Sequence, residues 1–198
     1  MSEPAVRAAV PGEYARVTEI FALAFAGDPV WGDWTFPEST DRVPLLREFW
    51  HPFVVAAGKY DGVVVLGDLA AVALWVPPGV PDLDDQDEAA VAEMLPRVCG
   101  ERAGLVAQGW DLFAASRPEQ PHWYLSLLAT APERRGSGLG MELVQQHLAR
   151  VDADRSAAYL ESTNPGNVQR YRRAGFEADG SFDLPEGPRV DRMWRTVR

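Results

Sequence analysis

Two adjacent arginines and three alternating glycines in the C-terminal half of the chain are residue types suited to binding anions. Arg134 and Arg135 precede Gly136, Gly138 and Gly140. Glycine lacks the Cβ atom that would keep an anion from the backbone N–H groups, and arginine adds a permanent charge and forked donors. A helical pattern begins after Gly138, so the first N–H groups of that helix would also lack partners within it. The spacing therefore predicts a site for a phosphate or a pyrophosphate.

The two common glycine-rich nucleotide motifs do not fit this segment. A P-loop would place Lys-Ser or Lys-Thr after its last glycine, where Met141 and Glu142 stand instead. The dinucleotide fingerprint has the spacing G-x-G-x-x-G and belongs to the first strand–helix unit of its fold, whereas the spacing here is G-x-G-x-G and lies late in the chain. One further alternative stays open, in which the glycines serve only tight packing at a helix start and the arginines only solubility.

A resemblance to a known family rests on this segment and on a second one downstream. Residues 134–140 are similar to the acetyl-CoA pyrophosphate loop of the GCN5-related N-acetyltransferase (GNAT) family, written Q/R-x-x-G-x-G/A, with Arg135 in the first position. Residues 164–171, followed by Gly175 and Phe176, are similar to the family's N…Y…GF segment. Two such motifs in the right order are far more specific than either one alone.

The resemblance implies acetyl-CoA as the cofactor and assigns positions that would bind it. In the family, two central strands splay apart and the pantetheine arm lies between them, paired with the strand backbone. The corresponding positions here are Leu127, Leu128 and Ala129 on the strand, Arg134, Arg135, Gly136, Ser137, Gly138, Leu139, Gly140 and Met141 at the corner, and Asn164 and Asn167 downstream. One of the two asparagines could instead cap the helix that is predicted to begin near Asn167.

Two side chains could move protons during the transfer of an acetyl group to an amine. Tyr171 takes the place of the family's tyrosine, and the resemblance implies that its phenol would give a proton to the sulfur of CoA; the alternative is a tyrosine that only packs its helix against the sheet. Glu161 stands on an apolar strand, where burial would raise its pKa toward that of a general base. The alternative for Glu161 is a salt bridge at the strand end with Arg172 or Arg173.

The acceptor side of the site is less sharply marked. Trp31 and Trp34 lie in an aromatic loop after the first predicted helix, a region that borders the acceptor pocket in the family, although aromatic rings often serve only as core packing. His122, at a strand edge, is more typical of a structural residue. Cys99 lies outside both motifs and has no neighbouring histidine, which favours direct attack of the amine in a ternary complex over a covalent enzyme intermediate.

The apolar periodicity predicts alternating strands and helices. Strands are expected at 6–10, 61–66, 69–76, 124–130, 157–162, 176–182 and 190–197, and helices at 11–25, 41–57, 86–95 with a possible continuation to 107, 108–115, from 139 onward, and 167–174. This α/β (α+β) order resembles the GNAT fold, which implies a mixed, twisted sheet of about six or seven strands with helices on both faces and a splayed central pair. One domain is expected over residues 1–198, with a helical insert at about 82–116 that could cover the acceptor site.

Composition and charge limit the class of partner. The formal net charge of −10 argues against nucleic acid, because that binding depends on neutralising phosphates with Lys and Arg. No apolar run is long enough to cross a bilayer. Three histidines and one cysteine show no metal-ligand spacing, and a single cysteine suits a reducing compartment. We therefore expect a cytoplasmic protein with no metal and no membrane or nucleic-acid partner; its oligomeric state stays open.

These features together predict an acetyl-CoA-dependent N-acetyltransferase that acts on a primary amine of a small molecule. Residues 116–123 and 184–189 are similar to the puromycin N-acetyltransferase branch of the family, which would imply an aminonucleoside-type antibiotic as the acceptor. Two alternatives stay open, a protein lysine or N-terminal acetyltransferase and a non-catalytic acyl-CoA sensor. An enclosed pocket under the insert would favour a small molecule, and a broad open groove would favour a protein.

Overall fold

The computed structural model describes residues 5–198, so the first four residues of the expected domain lie outside the described part of the chain. The strands are β1 (Val6–Ala8), β2 (Val63–Leu66), β3 (Ala71–Val76), β4 (His122–Thr130), β5 (Ala157–Ser162), β6 (Glu177–Asp183) and β7 (Arg189–Arg195). The α-helices are α1 (Tyr14–Phe25), α2 (Val43–Gly58), α3 (Asp85–Cys99), α4 (Ala103–Ser116), α5 (Leu139–Ala153) and α6 (Pro165–Arg173). A π-helical segment, Pro29–Trp34, follows α1.

The seven strands form a single mixed sheet in the order β1-β2-β3-β4-β5-β7-β6. β4 and β5 run parallel, while the other neighbouring strands run antiparallel. Helix α5 makes the crossover from β4 to β5, because a parallel pair needs a connection long enough to return to the same edge. This mixed α/β sheet with helices on both faces confirms the fold that the sequence predicts.

The amphipathic helices divide between the two faces of the sheet. On one face, α1 and α2 bury Phe21 and Phe49 against strand residues such as Leu74. On the other face, α5 buries Leu143 in a second cluster that includes Trp75. The site described below lies where β4, shared by both clusters, meets β5.

An extra residue in β4 reverses the direction of its side chains. Leu125 is the partner of Trp75 and Leu127 is the partner of Leu74, so Ser126 has no partner on β3 and forms a β-bulge. Before the bulge Leu125 belongs to the cluster under α5, and after it Leu127 belongs to the cluster under α1 to α4. The bulge therefore shifts the alternation of β4 by one residue at the middle of the sheet.

β4 and β5 separate at the same point. Their parallel pairing runs from His122↔Ala157 to Leu125↔Leu160 and stops there, although β4 continues to Thr130 and β5 to Ser162. The two strands thus diverge and leave a gap in the centre of the sheet. This is the splayed central pair that the resemblance implies.

The segment between β3 and β4 contains two helices. α3 runs through Pro96 to Cys99, and Gly100, with φ of +54°, ends it, so the helix does not continue to residue 107 as considered above. The Ser116 carbonyl at the end of α4 accepts a 2.9 Å hydrogen bond from Arg192 Nη1 and a 3.3 Å one from Tyr159 Oη. These bonds tie the end of α4 to β7 and β5.

Candidate active site

The corner between β4 and α5 has a backbone conformation that glycine adopts more easily than any other residue. Gly136 and Gly138 have φ of +80° and +82°, and Gly138 immediately precedes α5. A Cβ atom on either residue would meet nothing within 4 Å, whereas a Cβ atom on Gly140 would lie 2.9 Å from Thr130 Oγ1. Two positions therefore need a left-handed backbone beside open space, and the third needs a small residue. The first N–H groups of α5 have no partner within the helix.

Arg135 ties this corner to the end of α1. Its Nη2 donates a 2.7 Å hydrogen bond to the Leu23 carbonyl oxygen, which holds the guanidinium at the edge of a cleft. The Arg134 carbonyl accepts a 2.5 Å hydrogen bond from Ser137 Oγ, and this bond closes the turn. Arg134 and Ser137 are exposed, and neither they nor Leu139 line the cleft.

The cleft that opens from this corner has a volume of about 650 Å³. Gly136, Gly138, Gly140 and Met141 form one side of it. Arg135 approaches from that side, while Arg170 and Arg173, three residues apart on α6, approach from the other. Although the chain has a net charge of −10, the wall of this cleft carries three guanidinium groups, which favour an anion. Arg170 and Arg173 were not among the positions expected from the sequence, although their helical spacing could have suggested them.

The backbone of β4 forms the floor between the corner and the inner end of the cleft. Leu128 and Ala129 line the cleft, and Leu127 lines a second, adjoining cavity together with Leu128. These residues pair with β3 on one side, and β5 has already separated from their other side. Alternate residues of an antiparallel ladder direct their N–H and C=O away from the partner strand, so part of this backbone faces the gap. An extended ligand could pair with it as a strand would.

Both asparagines line the cleft, but they make different contacts. Asn164 caps α6, since its Oδ1 accepts a 2.9 Å hydrogen bond from the Gly166 N–H. This cap and Pro165 in the first helical position start the helix two residues before the start that the sequence predicts. Asn167 lies in the first turn, where its Oδ1 accepts a 3.1 Å hydrogen bond from Arg170 Nη1. The capping role therefore falls to Asn164.

The adjoining cavity is smaller, about 110 Å³, and its wall is rich in aromatic rings. Five residues line both spaces, Phe25, Asp28, Leu128, Asn167 and Tyr171. The aromatic wall comes from the π-helical segment, α2 and α4, and consists of Trp31, Trp50, Phe53, Trp110 and Phe113. Helix α4 thus helps to enclose a space that is continuous with the cleft.

The structure brings Trp31 into this cavity but not Trp34. Trp31 stacks on Phe113 with ring centroids 5.3 Å apart and meets Trp50 edge-on at 5.0 Å. Trp34 lines neither space, because its Nε1 donates a 2.9 Å hydrogen bond to the Pro185 carbonyl in the turn between β6 and β7. The contacts of Trp34 are therefore those of a packing residue, the alternative that was open for this aromatic loop.

Tyr171 lies where the cleft meets the cavity. Its ring packs edge-on against Phe176, with centroids 6.2 Å apart. Burial, reinforced by the negative charge of Asp28, raises the pKa of Tyr171 to about 12. The phenol therefore keeps its proton at neutral pH, which is the state that a proton donor needs.

Glu161, near the end of β5, lines the smaller cavity. Both of its carboxylate oxygens are buried, and neither has a partner at ordinary hydrogen-bond distance in the range 5–198, although the Tyr124 and Tyr159 hydroxyls lie near enough to act on the carboxylate. The salt bridge with Arg172 or Arg173 that was the alternative for this residue is therefore not formed. Burial, only partly opposed by the positive charge of Arg117 and by the hydroxyls of Tyr124 and Tyr159, raises the pKa of Glu161 to about 7. The carboxyl thus titrates near neutral pH, as a general base at this pH requires.

Asp28 joins the two sides of the gap, and the sequence did not single it out. Its Oδ1 accepts hydrogen bonds from the Val30 and Trp31 N–H groups at 2.9 and 3.1 Å, and its Oδ2 accepts one from Thr163 Oγ1 at 2.8 Å. Thr163 directly follows β5, whereas Asp28 follows α1. An aspartate before Pro29 is a helix-capping pattern, which could have indicated the first two bonds but not the third.

A second unexpected pair lies at the ends of the segment that carries α3 and α4. Asp82 precedes α3 and Arg117 follows α4, and Arg117 Nη2 lies 2.6 Å from Asp82 Oδ2. The guanidinium carbon of Arg117 also stands 4.1 Å from the centroid of the Tyr124 ring. All three residues line the smaller cavity.

Other chemistry is sparse in the described part of the chain. Residues 5–198 contain no group of three or more His, Cys, Asp or Glu side chains that could hold a metal ion. None of their helices is both long enough and apolar enough to cross a membrane. Cys99 is buried in α3, and burial raises the pKa of its thiol to about 12, so little thiolate exists at neutral pH.

The chain is similar to a known protein family and to several solved structures. A model of the acetyltransferase (GNAT) family matches residues 23–176. A crystal structure of histone acetyltransferase HPA2 and related acetyltransferase from Corynebacterium glutamicum is 26% identical, with a TM-score of 0.71, over 100% of this chain and 98% of that one. Arylalkylamine N-acetyltransferase 2 from Aedes aegypti shares the fold at 15% identity and a TM-score of 0.65, over 100% of both chains. Polyamine N-acetyltransferase from Drosophila melanogaster also shares the fold, at 15% identity and a TM-score of 0.63, over 98% of this chain and 99% of that one.

Proposed function

Because the chain belongs to the acetyltransferase (GNAT) family, we propose that it transfers the acetyl group of acetyl-CoA to a primary amine of a small molecule, by direct attack in a ternary complex. The observation that carries this proposal is the continuity of two unlike spaces. A cleft with an anion-binding corner leads past Tyr171 into an aromatic cavity that contains Glu161. One space suits a long phosphorylated cofactor, and the other suits a compact amine.

Members of the family use acetyl-CoA, and the residues of the cleft fit that cofactor. The left-handed glycines stand beside open space at the start of α5, and Arg135, Arg170 and Arg173 add donors for a diphosphate. The unpaired edge of β4 at Leu127, Leu128 and Ala129 offers main-chain partners to an extended arm, and Asn167 adds a side-chain amide. When bound, acetyl-CoA supplies the acetyl group as an activated thioester.

Tyr171 is proposed as the general acid. Its raised pKa, about 12, keeps a proton on Oη at neutral pH, and its position at the junction of the two spaces is where a leaving sulfur would need that proton. The packing alternative is compatible with the contact to Phe176, so only a kinetic measurement separates the two roles.

Glu161 is proposed as the general base. An amine must lose a proton to become a nucleophile, and a carboxylate with a pKa of about 7 can accept one near neutral pH. The same carboxylate can hold an ammonium group in place before the proton moves, because neither oxygen has a partner at ordinary hydrogen-bond distance in residues 5–198. The high pKa of the buried Cys99 thiol supports direct transfer over a thiol intermediate.

The enclosed aromatic cavity favours a small-molecule acceptor. Similarity of residues 116–123 and 184–189 to the puromycin N-acetyltransferase branch makes an aminonucleoside the finer candidate within that class. A protein lysine or N-terminus is the second candidate acceptor, and what favours it is the similarity to the structure described as histone acetyltransferase HPA2 and related acetyltransferase. A sensor that binds acyl-CoA without chemistry is disfavoured by the presence of both Tyr171 and Glu161 beside the cavity.

The test has two steps. Isothermal titration calorimetry with CoA should show saturable binding, and pantetheine, which lacks the nucleotide and its phosphates, should bind more weakly because it cannot reach the corner. No heat of binding with millimolar CoA would end the proposal.

The second step measures release of free CoA thiol from acetyl-CoA over a panel of small amines, an aminonucleoside and a lysine-containing peptide. Turnover with small amines and not with the peptide is expected. Turnover with the peptide alone would favour the protein acceptor, and binding of CoA without any turnover would favour the sensor.

A further inference from the structure

Three carboxylates line the smaller cavity, and one of them has neither an ion pair nor a partner at ordinary hydrogen-bond distance among residues 5–198. Asp28 accepts two backbone N–H bonds at Oδ1 and the Thr163 hydroxyl at Oδ2. Asp82 is paired with Arg117 at 2.6 Å. Neither oxygen of Glu161 has a partner at ordinary hydrogen-bond distance among the described residues, and the Tyr124 and Tyr159 hydroxyls are the groups that act on this carboxylate as weaker donors. Of the three, Glu161 therefore has the most hydrogen-bonding capacity left for a cationic guest.

The Asp82–Arg117 pair is held in place from a second direction. The guanidinium of Arg117 stands over the ring of Tyr124 at 4.1 Å, a cation–π contact. The side chains of Asp82 and Arg117 are 27% and 28% exposed, so the pair is closer to solvent than the buried oxygens of Glu161. A guest that carried a second ammonium group toward Asp82 would have to displace Arg117 from both contacts or lie beside its positive charge.

Much of the remaining wall of the cavity consists of aromatic rings. Trp31 is stacked on Phe113 and touches Trp50 edge-on, and Phe53 meets Trp110 at 5.7 Å, so the rings fix one another in position. Rings held in this way form a preorganised surface for another flat apolar group. A linear aliphatic chain would cover less of this surface.

We propose, on the basis of the proposed function, that the acceptor is a monoamine with an aromatic group on a short linker. The Asp82–Arg117 pair is then a specificity-determining element that excludes diamines and polyamines. The ammonium group lies against Glu161, and the aromatic group fills the space between the rings of α2, α4 and the π-helical segment. The guanidinium of Arg117 neutralises the Asp82 carboxylate, which a second ammonium group would otherwise bind.

Arg117→Gln tests this selectivity, because it frees the Asp82 carboxylate without removing it. The ratio of kcat/KM for putrescine to kcat/KM for phenethylamine should rise at least about tenfold over wild type, as expected when a carboxylate becomes available to a second ammonium group. The change should appear mainly in the KM for putrescine, while the calorimetric affinity for CoA stays at the wild-type value. Arg97→Gln is the matched control, because Arg97 is an exposed arginine that pairs with Glu48 outside this cavity.

Two further variants keep the inference testable if Arg117→Gln fails to fold. Asp82→Asn leaves Arg117 without its counter-charge and should raise the KM for phenethylamine at least about fivefold, since a net positive wall repels an ammonium group. Arg117→Lys preserves the charge and should keep the wild-type preference. Where Arg117→Gln folds, adding Asp82→Asn to it should return the putrescine ratio toward wild type.

The outcomes separate this inference from the proposed function on which it rests. Wild-type protein that acetylates putrescine or butylamine as efficiently as phenethylamine would overturn the inference and leave the acetyltransferase in place. An unchanged ratio in folded Arg117→Gln would overturn the role of the pair. Absence of CoA binding and of turnover with every amine would instead remove the proposed function itself.

Discussion

Replacing Glu161 by glutamine should make the protein more stable at alkaline pH while it makes the enzyme slower. Burial raises the pKa of Glu161 from its ordinary 4.5 to about 7. Between these two values the folded protein binds more protons than the unfolded chain, so the free energy of unfolding falls as pH rises through this window. A shift of this size corresponds to about 3 kcal/mol at 25 °C. Glutamine cannot ionise, so the free energy of unfolding of the variant lacks this decrease.

Urea denaturation of wild type and Glu161→Gln at pH 5 and pH 8 measures the effect. At pH 5 the wild-type carboxyl is largely neutral and close in shape to glutamine, so the two free energies of unfolding should be similar. At pH 8 the variant should be more stable by up to about 3 kcal/mol. The groups that act on Glu161, Arg117, Tyr124, Tyr159 and Asp82, are the same in both proteins, so the difference isolates this carboxyl.

The activity of the two proteins provides the second half of the test. The kcat/KM of wild type should rise with pH to a plateau above about 7, because the base must be ionised. In the variant this pH dependence should disappear, and kcat/KM should be lower by roughly 100-fold or more. Glu177→Gln, on an exposed position of β6, is the matched control and should change neither quantity. A Glu161→Gln protein that is less stable than wild type at both pH values would refute the burial argument, and wild-type turnover would remove the base role.

Three further predictions concern the acid, the corner and the contact across the gap. Tyr171→Phe should lower kcat by roughly 100-fold while the calorimetric affinity for CoA stays within about twofold, and a wild-type kcat would rule out the acid role. Gly138→Ala should cost about 1–2 kcal/mol of stability, because φ there is +82°, and should weaken CoA binding in calorimetry. Gly104→Ala, at an exposed helical glycine with open space around it, is its control, and equal CoA affinity in the two variants would show that the corner does not hold the phosphates. Thr163→Val should reduce the free energy of unfolding by about 1–3 kcal/mol in urea, because Asp28 Oδ2 loses a hydrogen bond, and should raise the acceptor KM more than it weakens CoA binding. Thr163→Ser should restore both values, and no stability change in the valine variant would contradict the bridging role.

Local features of the site could be predicted from the sequence. The left-handed glycines and the start of α5 depend on residues 136–140 alone, so the pattern was enough to locate the corner. The family and the fold class are likewise confirmed, because the two motifs lie on the strands and helices that define the sheet. The start of α6 was wrong by two residues, since the pairing of Asn164 as cap with Pro165 was not recognised.

Contacts between distant segments could not be predicted. Asp28 and Thr163 are 135 residues apart, and nothing in the local pattern of either one indicates the other. The bulge at Ser126 reverses the side chains of β4, and a serine within an apolar run does not by itself indicate a bulge. Trp31 and Trp34 lie in the same aromatic loop after the first helix, so the sequence predicts one role for both, but only the tertiary packing decides that one faces the cavity and the other the β6–β7 turn.

The separation of β4 from β5 explains why the site lies in the middle of the sheet and not at its edge. A central strand that loses one neighbour leaves backbone N–H and C=O groups without protein partners, and such groups are costly unless water or a ligand satisfies them. A ligand that completes the ladder gains main-chain hydrogen bonds that do not depend on side-chain identity, so the gap itself can recognise only an extended shape. Discrimination must then come from the two ends of the gap. On our proposal, the glycine corner and the neighbouring arginines select for phosphate at one end, and Glu161 and the Asp82–Arg117 pair select for charge at the other. Substitutions at the two ends should therefore change cofactor and acceptor affinities independently, whereas changes at the bulge or at Thr163 should change both.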